Sequence, residues 1–141
     1  MRTEEVVHAT CVAWDDRAVI IRGASGSGKS ALGLMLMAMG CVLIADDRVC
    51  LRRVGKVVIA NCPDAIRNLI EARNIGLLNA DGREQATVAL VVDLDEVEVH
   101  RLPPKRQVTL LGTPVPLIHR ADGPHFAASI LQILKAGWSQ R

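Results

Sequence analysis

The stretch Gly23-Ala24-Ser25-Gly26-Ser27-Gly28-Lys29-Ser30 constrains this chain more than any other. It satisfies G-x-x-x-x-G-K-[ST] in full, and that spacing works in one local setting. A strand must deliver the chain to the first glycine, and a helix must leave from the lysine. The glycines permit positive φ, so successive N–H groups turn inward and form an anion nest. The first helical turn adds its partial positive charge. Both flanks are present: an apolar run at Ala18–Arg22 precedes the loop, and a helical stretch from Lys29 to Met39 follows it, closed by Gly40, a residue favoured where helices end. The segment reads as a polyphosphate cradle. Gly23, Ala24, Ser25, Gly26, Ser27 and Gly28 supply the loop, Lys29 reaches the β- and γ-phosphates, and the Ser30 hydroxyl ligates Mg²⁺.

Around this loop the periodicity outlines a sheet. Residues 6–13 read as a strand, followed by a turn at Asp15-Asp16-Arg17 and the strand that feeds the loop. The helix after the loop is apolar nearly all round, which predicts burial on more than one side. "CVLIA" (41–45) has the pattern of a buried central strand, and "RVCLRRVGKVVIA" that of a hairpin turning near Gly55. Pro63-Asp64 opens a short helix reaching about Leu69. "TVALVVDL" (87–94) is the strongest strand of the second half, and residues 106–119 hold one or two strands whose Pro114 and Pro116 suit an edge. A helix over 124–136, stopped by Gly137, ends the chain. This order predicts an α/β fold with a mixed sheet and flanking helices, rather than a doubly wound one.

The 141 residues are most simply one domain. A net charge of +2 says little about nucleic acid by itself, but no block of like charges forms a basic stripe, and no nucleic-acid partner is expected. The apolar run Leu34–Ala45 is too short to cross a bilayer, which takes about 20 residues, and the N-terminus lacks a hydrophobic signal core. Cys11, Cys41, Cys50 and Cys62 lack C-x-x-C spacing, and three lie in apolar stretches that suit reduced, buried thiols. The expectation is a soluble cytoplasmic protein.

A metal-bound triphosphate needs a carboxylate near Mg²⁺, and a kinase needs a base for its acceptor hydroxyl. Asp46-Asp47, at the end of the predicted buried strand, stands where such groups are usually placed. With these residues the chain resembles the catalytic domain of the HPr kinase/phosphorylase family, bacterial serine kinases acting on the phosphocarrier protein HPr of the phosphotransferase system. The resemblance runs through "HATCV" (8–12), "GASGSGKS" (23–30), "MGCVLIADDRV" (39–49), "EARNIGLLN" (71–79), "HRLP" (100–103) and "PVPLIHRADGPHFA" (114–127). It implies a fold like that of phosphoenolpyruvate carboxykinase around the P-loop, and a short form without the N-terminal sensor-like domain of longer members.

The resemblance also implies roles. His8 falls on the active-site histidine that orients or tunes the aspartates. Asp47 falls on the catalytic carboxylate, which takes the proton of the target serine and, in the reverse direction, returns it while phosphate attacks phosphoserine and pyrophosphate leaves. Asp46 orders the Mg²⁺ shell or Ser30. Glu71 falls on a metal-binding glutamate, and Arg101 on an arginine that neutralises the transferring phosphoryl group. ATP and Mg²⁺ are the implied cofactors, HPr the partner, and a hexamer the assembly, with the C-terminal helix reaching a neighbouring site.

The chain departs from the family in several places. Ala31 stands where the family has Glu, Asn74 replaces a glycine, the segment after the signature is shortened to "ADGREQ", and "LIHRADGPHF" replaces a basic, glycine-containing stretch linked to dephosphorylation. Kinase chemistry is therefore better supported than phosphorolysis, with His119 and Arg120 as candidates to restore basic character. Two alternatives stay open: a P-loop kinase of another acceptor, and a degenerate ATP-binding regulator.

Overall fold

A computed structural model describes residues 2–140. At its centre lies β9 (Gln85–Val97), the longest strand. Along one edge β9 pairs in parallel with β3 (Arg17–Arg22), from Thr87 to Asp93. Its other edge is shared. The first residues pair antiparallel with β6 (Val57–Asn61), and residues from Val91 onward pair in parallel with β11 (Thr113–Arg120). From β6 the sheet continues through β5 (Arg48–Val54) to β1 (Glu4–His8); from β3 it continues through β2 (Thr10–Trp14) to β4 (Val42–Ala45). β10 (Arg106–Leu110) completes the nine strands as a hairpin with β11. The sheet is mixed, as the element order implies.

Alternation along the central strands sends successive side chains to opposite faces, and each face is buried. Val12, Val19, Ile21, Leu90 and Val92 meet the two helices, α1 (Lys29–Ala38) and α2 (Phe126–Ala136), through Leu32, Leu36, Ile130 and Leu134. Cys11, Ala13, Ile20 and Val91 face the other way. They share that layer with Val49, Leu51 and Val58 of β5 and β6 and with Leu111 and Val115 at the β10–β11 hairpin, the two branches on one edge of β9. Loop, acids and helix N-termini are thereby fixed at the edge where the parallel strands β3, β9 and β11 end, the usual location of ligand sites in such sheets.

Two local expectations change. Residues 6–13 do not form one strand: the chain breaks at Ala9, whose N–H donates to the carbonyl of Asp47 (3.2 Å), so β1 pairs with β5 while β2 pairs with β3 and β4. The helix expected at 63–69 shrinks to one 3₁₀ turn, Asp64–Ile66. Arg67 is already extended and Asn68 takes φ +63°, which releases the chain into the hairpin of β7 (Leu69–Ala72) and β8 (Gly76–Asn79). As expected, α1 is covered from more than one side, by β2, β7 and α2, with Leu32, Gly33 and Leu36 buried and Leu34 and Met37 packed on the same core, while Met35 and the C-cap Met39 are exposed. Helix α2 sinks Ala127, Ile130, Leu131 and Leu134 into this chain's own core. Among the described residues no helix is long and apolar enough to cross a membrane. Cys11, Cys41 and Cys62 are buried and all four thiols are free; burial pushes the Cys41 thiol up to about 11.

Candidate active site

The chain leaves β3 at Arg22 and turns at Gly23, where a Cβ would lie 2.6 Å from Ser27 Oγ and 3.2 Å from Leu94 Cβ. No side chain fits, so the loop can pack directly on the end of β9. At Gly28, φ is +100°, a left-handed conformation that starts α1 at the next residue. Lys29 folds its ammonium back over the loop, donating to Gly23 O (2.9 Å) and Ala24 O (3.2 Å). Such a lysine stands at the mouth of the nest with its charge held by carbonyls that an anion can replace.

Ser30, one residue into α1, donates to Asp46 Oδ1 at 2.7 Å. The same oxygen accepts from Thr10 Oγ1 at 2.7 Å, and Asp46 Oδ2 accepts from the Glu71 N–H at 3.0 Å. Asp46 is 6% exposed and Thr10 fully buried. A buried carboxylate needs such donors, and these three come from β2, α1 and β7. Asp46 thus ties the start of the helix to two strands and fixes the Ser30 hydroxyl.

Asp47 does the opposite and lies exposed. It takes φ +73°, a left-handed conformation that Asp tolerates better than most residues. Its carbonyl accepts the Ala9 N–H, and the Arg48 N–H donates to Asp46 O at 2.9 Å. The tight turn buries Asp46 and presents Asp47 to solvent beside it. His8 ends β1 opposite Arg48, so it stands next to this turn, also exposed.

Glu71 is placed by its own N–H on Asp46, with an exposed side chain on β7 rather than at a helix end. Arg73, in the turn after β7, lies over the loop: a Cβ at Gly26 would be 3.6 Å from its Nη1. Asp95, past the middle of β9, accepts the Ala24 N–H at 2.9 Å. Thr10, Arg73 and Asp95 are not recognisable as site residues from spacing alone; the signals were a hydroxyl in an apolar strand, an arginine in "EARNIGLLN", and an acid closing "VALVVDLD". Arg101 lies in the exposed segment between β9 and β10, and among the described residues no hydrogen bond or ion pair ties it to the loop or to the acids. His119 and Arg120 end β11, with His119 opposite Asp93. A cavity of about 460 Å³, lined by Trp14, Asp15, Asp16, Arg17, Thr87, Ala89 and Lys135, opens where β3 begins, at the other end of that strand from the loop.

The family profile described as HPr Serine kinase C-terminal domain matches residues 1–119. The chain belongs to this family. It is 38% identical to the HPr kinase/phosphorylase of Cupriavidus necator over 112 residues, which cover 71% of this chain and 35% of that protein. To the HPr kinase/phosphorylase of Leptothrix cholodnii it is 52% identical over 62 residues, covering 43% of this chain and 19% of that protein. The chain thus spans about a third or less of the length of these relatives. Among solved structures, the Hpr(Ser) kinase/phosphatase from Coxiella burnetii superposes with a TM-score of 0.76 at 24% identity, covering 93% of this chain and 88% of that one. The mixed sheet with two helices is therefore a fold the family shares.

Proposed function

We propose that this domain is an ATP-dependent serine kinase that phosphorylates an HPr-type phosphocarrier protein. The observation that carries the reading is the junction of loop and acids: Lys29 over the nest, Ser30 bound to buried Asp46, and exposed Asp47 on the next residue. The amides of the loop and of the first turn of α1 bind the donor's phosphates, and Lys29 exchanges its carbonyls for the β- and γ-oxygens. Mg²⁺ bound to a triphosphate takes most of its ligands from phosphate and water, so the hydroxyl of Ser30 with Asp46 behind it suits that ion, and Glu71 adds a second acid. Bound there, the ion neutralises charge on the transferring group.

Asp47 accepts the proton of the acceptor serine as the serine oxygen bonds to the γ-phosphorus and the bond to ADP breaks. His8 orients this carboxylate. Arg73 lies over the loop and serves as a cation for the terminal phosphate, beside Arg101, the arginine that the family resemblance implies for that role. In the reverse direction Asp47 returns the proton as phosphate attacks phosphoserine and pyrophosphate is released. A homo-oligomer is proposed from the family resemblance.

Incubation with ATP, Mg²⁺ and HPr tests the reading. Phosphoserine on HPr supports it. Transfer to another protein or a small molecule moves the domain to a different acceptor, and binding without transfer makes it a nucleotide-binding regulator, a result in line with Ala31 beside Ser30.

A further inference from the structure

The end of β9 holds the phosphate loop through a chain of polar contacts. Arg22 and Asp93 are register partners in the parallel pair, and their side chains meet at 3.4 Å. Asp93 Oδ1 accepts the Asp95 N–H at 2.9 Å, and Asp95 Oδ1 in turn accepts the Ala24 N–H at 2.9 Å. Beneath them Leu94 supports Gly23, which has no room for a side chain.

The Ala24 N–H and the Gly23 carbonyl belong to one peptide group, which is planar and trans, so they point to opposite sides. Holding the N–H on Asp95 sends the Gly23 oxygen the other way, where it meets the Lys29 ammonium at 2.9 Å. The next carbonyl, Ala24 O, takes a second share of that ammonium at 3.2 Å and accepts the Ser27 N–H at 3.0 Å. One peptide orientation therefore sets both the rim of the loop and its lysine. Asp95 occupies an amide on the leading limb, whereas the amides of the first turn of α1, which have no carbonyl within their own helix, remain for phosphate.

Resting on the nucleotide-binding reading above, we infer that Asp95 is a positioning residue: it fixes the Gly23–Ala24 peptide and, through its carbonyl, the starting position of Lys29. An acid near a phosphate site also repels the ligand. Asp95 is exposed, so water and salt screen that repulsion, while loss of a charge-assisted hydrogen bond acts directly on the loop.

The test compares wild-type protein with Asp95→Ala and Asp95→Asn in binding Mg²⁺ with a non-hydrolysable ATP analogue, alongside amide hydrogen exchange without nucleotide. Asp95→Ala is expected to weaken binding about 10-fold. Asn keeps an acceptor oxygen and recovers most of that loss. The Ala24 amide is expected to exchange about 10-fold faster in the alanine variant, with Val19, Ile20 and Ile21 of β3 unchanged as the folding control. Unchanged or tighter binding in Asp95→Ala, or an asparagine variant as weak as the alanine one, overturns the inference. So does an Ala24 amide that exchanges at the wild-type rate. A wild-type protein that binds no triphosphate overturns the functional reading instead, and the exchange comparison still decides whether Asp95 holds the loop.

Discussion

Lys29 and Asp47 divide the proposed chemistry between them, one gripping the donor and the other meeting the acceptor. Lys29→Ala removes the ammonium that lies over the loop's carbonyls and is expected to weaken triphosphate binding about 100-fold or more, read by titration with the fold checked by circular dichroism. Asp47→Asn keeps the shape and removes the base. Phosphoryl transfer is expected to fall by about a hundredfold to ten-thousandfold with nucleotide affinity nearly unchanged, and full transfer activity in this variant refutes the assignment. Thr10→Val deletes a hydroxyl donor to buried Asp46 and should cost about 1–3 kcal/mol of stability, measured by urea unfolding. At this scale the loop and the acid pair were legible because they depend on fixed local spacing. Thr10, Arg73 and Asp95 were not, since each arrives from a different strand or turn and meets the loop only after the sheet forms.

Among the elements, α1 depends on a close approach. A Cβ at Gly33 would lie 2.7 Å from Thr10 Cγ2 on β2. Gly33→Ala is expected to lose about 1–2 kcal/mol, because overpacking in the core outweighs the better helix propensity of alanine. β9 and β10 are joined through Glu98, which binds Arg106 through both carboxylate oxygens at 3.2 and 3.0 Å and also accepts the Val99 and His100 N–H groups. The Arg106 hydrogen bond, chiefly, holds the Glu98 carboxyl at about 2, below its usual 4.5. Because the folded value is the lower one, this contribution is complete above pH about 4.5 and disappears as pH falls toward about 2. Unfolding followed from pH 6 to pH 2 should show less acid dependence in Glu98→Gln; an identical slope in both proteins contradicts this. Strands with clear alternation were readable from sequence. The break at Ala9 and the hairpin of β7 and β8 were not, because a backbone bond to Asp47 and the left-handed Asn68 decide them.

For the whole molecule, the mixed sheet followed from element order, and its two buried faces follow from the aliphatic strands. The split of β9 between β6 and β11 was hidden, since sequence shows a strand's length but not how its edges are shared. The parallel pairing of β3, β9 and β11 brings their ends to one edge, where the loop leaves β3, and β4 reaches the same edge through β2 to place the acids there. The most direct test is a backbone amide NMR titration with Mg²⁺ and a non-hydrolysable ATP analogue. Saturable shifts should centre on Gly26, Gly28, Lys29, Ser30 and Asp47, and Lys29→Ala should abolish them. A titration that leaves these amides unmoved, or moves those around Trp14 and Lys135 instead, contradicts a phosphate cradle at this loop.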